Sequence, residues 1–139
     1  MPDLLVLRPA DIDPIERGNG VRTIPLVGKW NNDRNAVTTG TTSFPPGSAI
    51  PLHTHNVEEQ VMLLEGEATC EIDGRYFDLA VGDTTWVPAG TPHRFINRGA
   101  GRMTILWIYG GREVTRTIVA TGETFEHLSD QDRGVATRA

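Results

Sequence analysis

Apolar and polar residues alternate along much of this chain in short runs, broken by glycine, proline and Asx-rich turns. A period of two is the mark of strands with one buried face. Val21–Trp30 alternates loosely and Ala36–Phe44 is rich in threonine, which predicts two strands joined by an NNDRN turn. Pro45, Pro46 and Gly47 stop the second of them. Strands are predicted next over Glu58–Leu64, Glu67–Ile72 and Arg75–Leu79, with Asp73-Gly74 as a tight hairpin turn between the last two. Thr84–Val87 follows, the Pro88-Ala89-Gly90 turn returns the chain through His93–Asn97, and Met103–Tyr109 and Glu113–Ala120 complete the series. Many short strands at such spacing imply a sandwich or barrel. Residues 1–20 carry too many breakers for a long helix and predict an N-terminal arm; 21–120 form the β-domain; 121–139 form a polar, mobile tail with one helical turn at His127–Asp132.

Composition narrows the function classes. A chain of 139 residues supports one domain. Net charge is −5 with a single lysine, Lys29, and scattered arginines, so nucleic acid is not an expected partner, and no room is left for a helix-turn-helix. The opening MPDLLVLRPADID has an apolar run too short for a signal peptide or a membrane span, so the expectation is a cytoplasmic protein with no membrane partner. One cysteine, Cys70, forms no internal disulfide and lies in an alternating strand, as a buried structural thiol would.

The chemistry lies between Gly47 and Gly66. His53 and His55 stand one residue apart on a predicted strand and therefore share a face, which makes a chelate. Imidazoles with an added carboxylate suit transition metals and leave coordination positions open. Glu58 and Glu59 follow, and only one can face the histidines on a regular strand; His93 arrives later. The pattern Gly47-x5-His53-x-His55-x3-Glu59-x6-Gly66, followed after fifteen residues by Gly82-x5-Pro88-x-Gly90-x2-His93-x3-Asn97, resembles the two motifs of the cupins at every fixed position. The resemblance is to a small single-domain cupin of bacterial type. It implies an all-β double-stranded β-helix, or jelly-roll barrel, with one divalent transition metal (Fe, Mn, Ni or Zn) on His53, His55, Glu59 and His93. It selects Glu59 over Glu58, with Gln60 as the alternative in a shifted count, and makes the glycines, Pro88 and Asn97 scaffold. It also implies a homodimer with arms crossing between subunits.

Parity with Glu59 turns Val61 and Leu63 inward, and parity with His93 does the same for Phe95. With Met103, Ile105 and Trp107 from one face of the apolar strand Met103–Tyr109, these are the candidate substrate pocket. Arg94 should face away in a structural ion pair, Trp30, Trp86 and Trp107 should be packing residues, and His127, which matches nothing, should lie on the surface unless the tail folds over the pocket. No second acid or base accompanies the motifs, which favours metal-centred chemistry with Glu59 as ligand, base or both. The expected function is a metal-dependent enzyme on a small oxygen-bearing organic molecule, a dioxygenase first and an isomerase or lyase second. The alternative is a non-catalytic module whose metal holds a ligand or stabilises the barrel.

Overall fold

The computed structural model describes residues 4–139; the first three residues of the expected arm lie outside them. In chain order the strands are β1 (Ile15–Gly18), β2 (Val21–Pro25), β3 (Thr38–Phe44), β4 (Ser48–Ala49), β5 (His53–His55), β6 (Glu59–Glu65) and β7 (Ala68–Ile72). They continue with β8 (Arg75–Leu79), β9 (Thr84–Val87), β10 (His93–Ile96), β11 (Met103–Tyr109), β12 (Thr115–Ile118), β13 (Thr124–Glu126) and β14 (Thr137–Arg138). One helical turn, α1 (Asp130–Arg133), interrupts the end of the series. The fold is an all-β sandwich of two antiparallel sheets. One has the order β1-β2-β3-β11-β6-β9, and the other β13-β12-β5-β10-β4-β14 with β7 and β8 added beside β10. Among the described residues no helix is long and apolar enough to cross a membrane.

Alternation decides what each strand contributes. On β3 and β11 every second residue is buried, and the two are paired over their full length from Met103↔Phe44 to Tyr109↔Thr38. The inward set of β11 is Met103, Ile105, Trp107 and Tyr109, while Thr104, Leu106 and Ile108 stay partly exposed on the outer face. Val61 and Leu63 of β6 and Cys70 of β7 join them in the core. Each fully buried aliphatic side chain there contributes about 1.5–3 kcal/mol. Trp107 needs space as well as burial: a Cβ on Gly40, its cross-strand partner, would collide with the indole ring. Trp107 Nε1 also donates to Thr42 Oγ1 at 2.9 Å, so the one polar atom of the ring is satisfied. Asn97 is fully buried and pins the turn after β10: its Nδ2 donates to Phe44 O and Gly101 O, and its Oδ1 accepts from Gly99 N.

Three expectations are corrected. The N-terminal arm already contains β1, because Gly18 and Gly20, read as breakers, adopt positive φ with Asn19 between them and make the hairpin turn into β2. The C-terminal segment is not a free tail: β13 pairs with β12, β14 pairs with β4, and Asp132 of α1 is completely buried. Trp30 and Trp86 are 40% and 58% exposed, so of the three tryptophans only Trp107 is a core residue. Trp86 Nε1 instead reaches Glu58 Oε1, exposed just before β6.

Candidate metal centre

β5 places His53 and His55 on the inward face, and β10 brings His93 alongside, directly opposite His53 across the ladder. Glu59 comes from β6 of the facing sheet, whose parity turns Glu59 in and leaves Gln60 and Glu58 exposed. All four are 5% exposed or less. One nitrogen from each histidine lies within 4.8 Å of the others. Glu59 Oε1 is 2.6 Å from His93 Nε2 and 4.0 Å from His55 Nε2.

The orientation of the rings is fixed by the backbone. His53 Nδ1 meets Pro51 O at 2.6 Å, His55 Nδ1 meets Thr115 O at 2.9 Å, and His93 Nδ1 meets Thr91 O at 2.8 Å. A carbonyl only accepts, so each Nδ1 carries the proton and each Nε2 is left for the centre of the cluster. His55 Nε2 is buried and has no hydrogen-bond partner. An orphaned lone pair among three convergent imidazoles and a carboxylate is the donor set of a borderline metal ion, so the residues fit such an ion.

Electrostatics separates the histidines. Burial, aided by the Arg116 charge, holds His53 well below the usual imidazole range, and burial takes His55 down to about 4 against the pull of Glu59. Both are therefore neutral donors at neutral pH. For His93, burial acts downward but is outweighed by the hydrogen bond and charge of Glu59, so its pKa rises. Burial likewise acts upward on Glu59, and His93 outweighs it, so the carboxyl ionises more readily than usual. A proton shared between His93 Nε2 and Glu59 Oε1 thus sits where an ion would bind.

Beside the cluster lies a cavity of ≈ 30 Å³ whose lining includes His53, Glu59, Phe95, Ile105, Trp107 and Tyr109. Of the expected pocket residues, Phe95, Ile105 and Trp107 line it. Val61, Leu63 and Met103 share the inward face and the same core cluster but do not line this cavity. The cavity is also lined by Arg17, Arg116 and His127, which the sequence reading left out of the site. His127 is buried, its ring 5.0 Å from both Trp107 and Tyr109 in edge-on contact, instead of lying on the surface. It also lines an outer groove of ≈ 610 Å³ with Lys29, Trp30 and Leu128, so it stands between that groove and the inner cavity. The signal for Arg116 was its parity: it alternates in step with Val114 and Ile118, which are buried with it. Arg94 faces away from the cluster and pairs with Glu71 at 2.8 Å. A larger groove of ≈ 750 Å³, bounded by Glu67, Asp78 and Arg98, shares no residue with the histidine cluster.

The chain has counterparts among known proteins. A model of the Cupin domain family matches residues 40–109, half of the chain. The chain belongs to the cupins. An uncharacterized protein of Methanocaldococcus jannaschii is 36% identical over 63 residues, 45% of this cupin and 50% of its relative. Quercetin 2,3-dioxygenase of Bacillus subtilis is 40% identical over 50 residues, 35% of this chain and 15% of that enzyme. Among solved structures, oxalate decarboxylase of Bacillus subtilis, studied for its Mn(II) centres, superposes with a TM-score of 0.71 at 24% identity, covering 81% of this chain and 31% of the decarboxylase. This cupin therefore spans half or less of the length of these relatives. The likeness to the decarboxylase establishes the jelly-roll fold and no more.

Proposed function

We propose that this cupin is a metal-dependent enzyme acting on a small oxygen-bearing organic molecule, with dioxygenase chemistry as its leading reaction and isomerase or lyase chemistry second. The observation that carries the reading is the buried, unpartnered His55 Nε2 in a cluster whose three Nδ1 atoms are all committed to backbone carbonyls. His53, His55, His93 and Glu59 would hold one divalent ion of Fe, Mn, Ni or Zn. A redox-active ion supplies electrons for reaction with dioxygen, whereas zinc or nickel supplies Lewis acidity.

The remaining work belongs to the chain. The three Nδ1 anchors fix the rings, so their donors need no reorganisation on binding. Glu59, ionised and buried, can accept a proton from a substrate in the cavity. Phe95, Ile105 and Trp107 wall the space off from bulk water. At ≈ 30 Å³ the cavity has space for about two water-sized groups, which favours a small substrate over a fused aromatic one. The similarity to quercetin 2,3-dioxygenase over 50 residues supports oxygen chemistry.

The test is oxygen uptake after anaerobic loading with iron(II), measured against catechols, 1,3-diketones and small hydroxy and keto acids. Substrate-dependent oxygen consumption by the iron form supports the reading. Stoichiometric metal with no consumption for any class refutes the dioxygenase reaction. The tight cavity and buried ligands favour one second reading, a metal that holds a ligand or braces the barrel. In that case chelation lowers thermal stability sharply and no turnover is found with any metal.

A further inference from the structure

Arg116 is the charged group nearest to the metal cluster that the proposed chemistry does not use. It lies on β12 directly opposite His55 of β5, and parity turns both side chains to the inside. Directly opposed residues of an antiparallel pair hold their Cβ atoms about 4.5–5.5 Å apart. The guanidinium lines the ≈ 30 Å³ cavity together with His53 and Glu59, and is only 4% exposed.

Its hydrogen bonding is incomplete. Nη1 donates to Asp132 Oδ1 at 2.7 Å, but the buried Nε has no partner. Asp132 is shared: while its Oδ1 takes Arg116, its Oδ2 accepts from Arg17 Nη2 at 3.0 Å and from Leu128 N at 2.9 Å. Two buried guanidiniums, Arg17 and Arg116, face one buried carboxylate, Asp132, which leaves one positive charge in excess. The other buried carboxylate among the described residues is Glu59, which is engaged with His93. A divalent ion at the histidines would raise the excess further. Buried charge is costly unless paired, and a buried donor left unmade adds to the cost. Both costs fall if an anion with acceptor oxygens enters the cavity.

We infer that Arg116 is the anion-binding residue of this site and that the substrate is a small carboxylic acid, bound as its carboxylate between Arg116 and the histidine cluster. The inference rests on the metal-site reading for the second half of that placement. A carboxylate matches the space for about two water-sized groups and the donor geometry of a guanidinium. A neutral amide of the same shape would leave the excess charge uncompensated.

The experiment is calorimetric titration of formate and acetate, against formamide and acetamide, into the manganese-loaded protein and into Arg116→Gln and Arg116→Lys, with the metal content of each measured in parallel. The acids are expected to bind and the amides to bind at least tenfold more weakly. Arg116→Gln should lose roughly ten- to a hundredfold in acid affinity, the range for hydrogen bonds to charged groups, at unchanged metal content, and Arg116→Lys should recover part of it. Equal affinity for acid and amide, or for wild type and a metal-replete Arg116→Gln, overturns the inference. The acid–amide comparison needs no variant, so it decides the matter even if Arg116→Gln fails to fold. If the wild type takes up neither manganese nor iron, nickel or zinc, the metal reading fails on its own. The same titration on metal-free protein then tests Arg116 alone, with preference for the acid supporting it and indifference refuting it.

Discussion

Asp132 is the residue on which the C-terminal segment depends, and its removal offers a quantitative test. The carboxylate is completely buried and accepts from Arg17 Nη2, Arg116 Nη1 and Leu128 N at 3.0, 2.7 and 2.9 Å. Asp132→Ala leaves two guanidiniums buried with no counter-charge and an amide hydrogen without its acceptor. Breaking a buried ion pair by deleting one partner costs about 3–5 kcal/mol. That is a large part of the roughly 5–15 kcal/mol that holds a domain together, and for this chain length it corresponds to a fall in Tm of roughly 10 °C or more. Urea unfolding followed by far-ultraviolet circular dichroism reads the change directly. Asp132→Asn should be damaged less, since it keeps the shape and an acceptor for Leu128 N. A loss below about 1 kcal/mol for Asp132→Ala would mean that the triad is hydrated and the segment 124–138 only loosely attached, contrary to its pairing with β4 and β12.

Two further outcomes follow from the same geometry. The raised pKa of His93 reflects a proton shared with Glu59, and an ion must displace it. Metal affinity should therefore rise about tenfold per pH unit below the His93 pKa and level off above it, with a steeper dependence as pH falls toward the His55 value of about 4. Competition with a chromophoric chelator between about pH 5 and pH 8 measures this, and a flat profile would contradict the shared proton. Gly40→Ala drives a Cβ into the Trp107 indole and the Ile24 carbonyl, so overpacking should cost about 1–3 kcal/mol in a denaturation midpoint. An unchanged midpoint would show that Trp107 is less confined than its 3% exposure indicates.

The histidine cluster was legible because strand parity and motif spacing speak to the same residues. His53 and His55 share a face by alternation alone, and the count to Glu59 and His93 carries across two sheets that the sequence does not show to be opposed. The arginines were not legible in that way. Arg116 sits among threonines, and its inward orientation follows only once Val114 and Ile118 are known to face the core. Arg17 lies among Gly18, Asn19 and Gly20, where the signal for a turn hides the strand before it. Asp132 and His127 lie in a polar segment whose burial depends on partners elsewhere in the chain, Arg17 for one and Trp107 with Tyr109 for the other. Local patterning thus reports which face a side chain takes, while the pairing of distant buried charges is set by tertiary contacts that no short window contains. The exposed Trp30 and Trp86 follow the same rule in reverse, since a large apolar ring signals burial only where a facing sheet is available to cover it.

The most direct measurement is the metal content of protein purified without added metal, repeated for His53→Ala and His93→Ala and after reconstitution with iron, manganese, nickel and zinc. The geometry predicts about one divalent ion per folded wild-type chain and loss of that ion in both variants while the barrel remains folded. Folded wild-type protein that takes up none of the four metals, or His93→Ala that keeps its full complement, would contradict the metal centre.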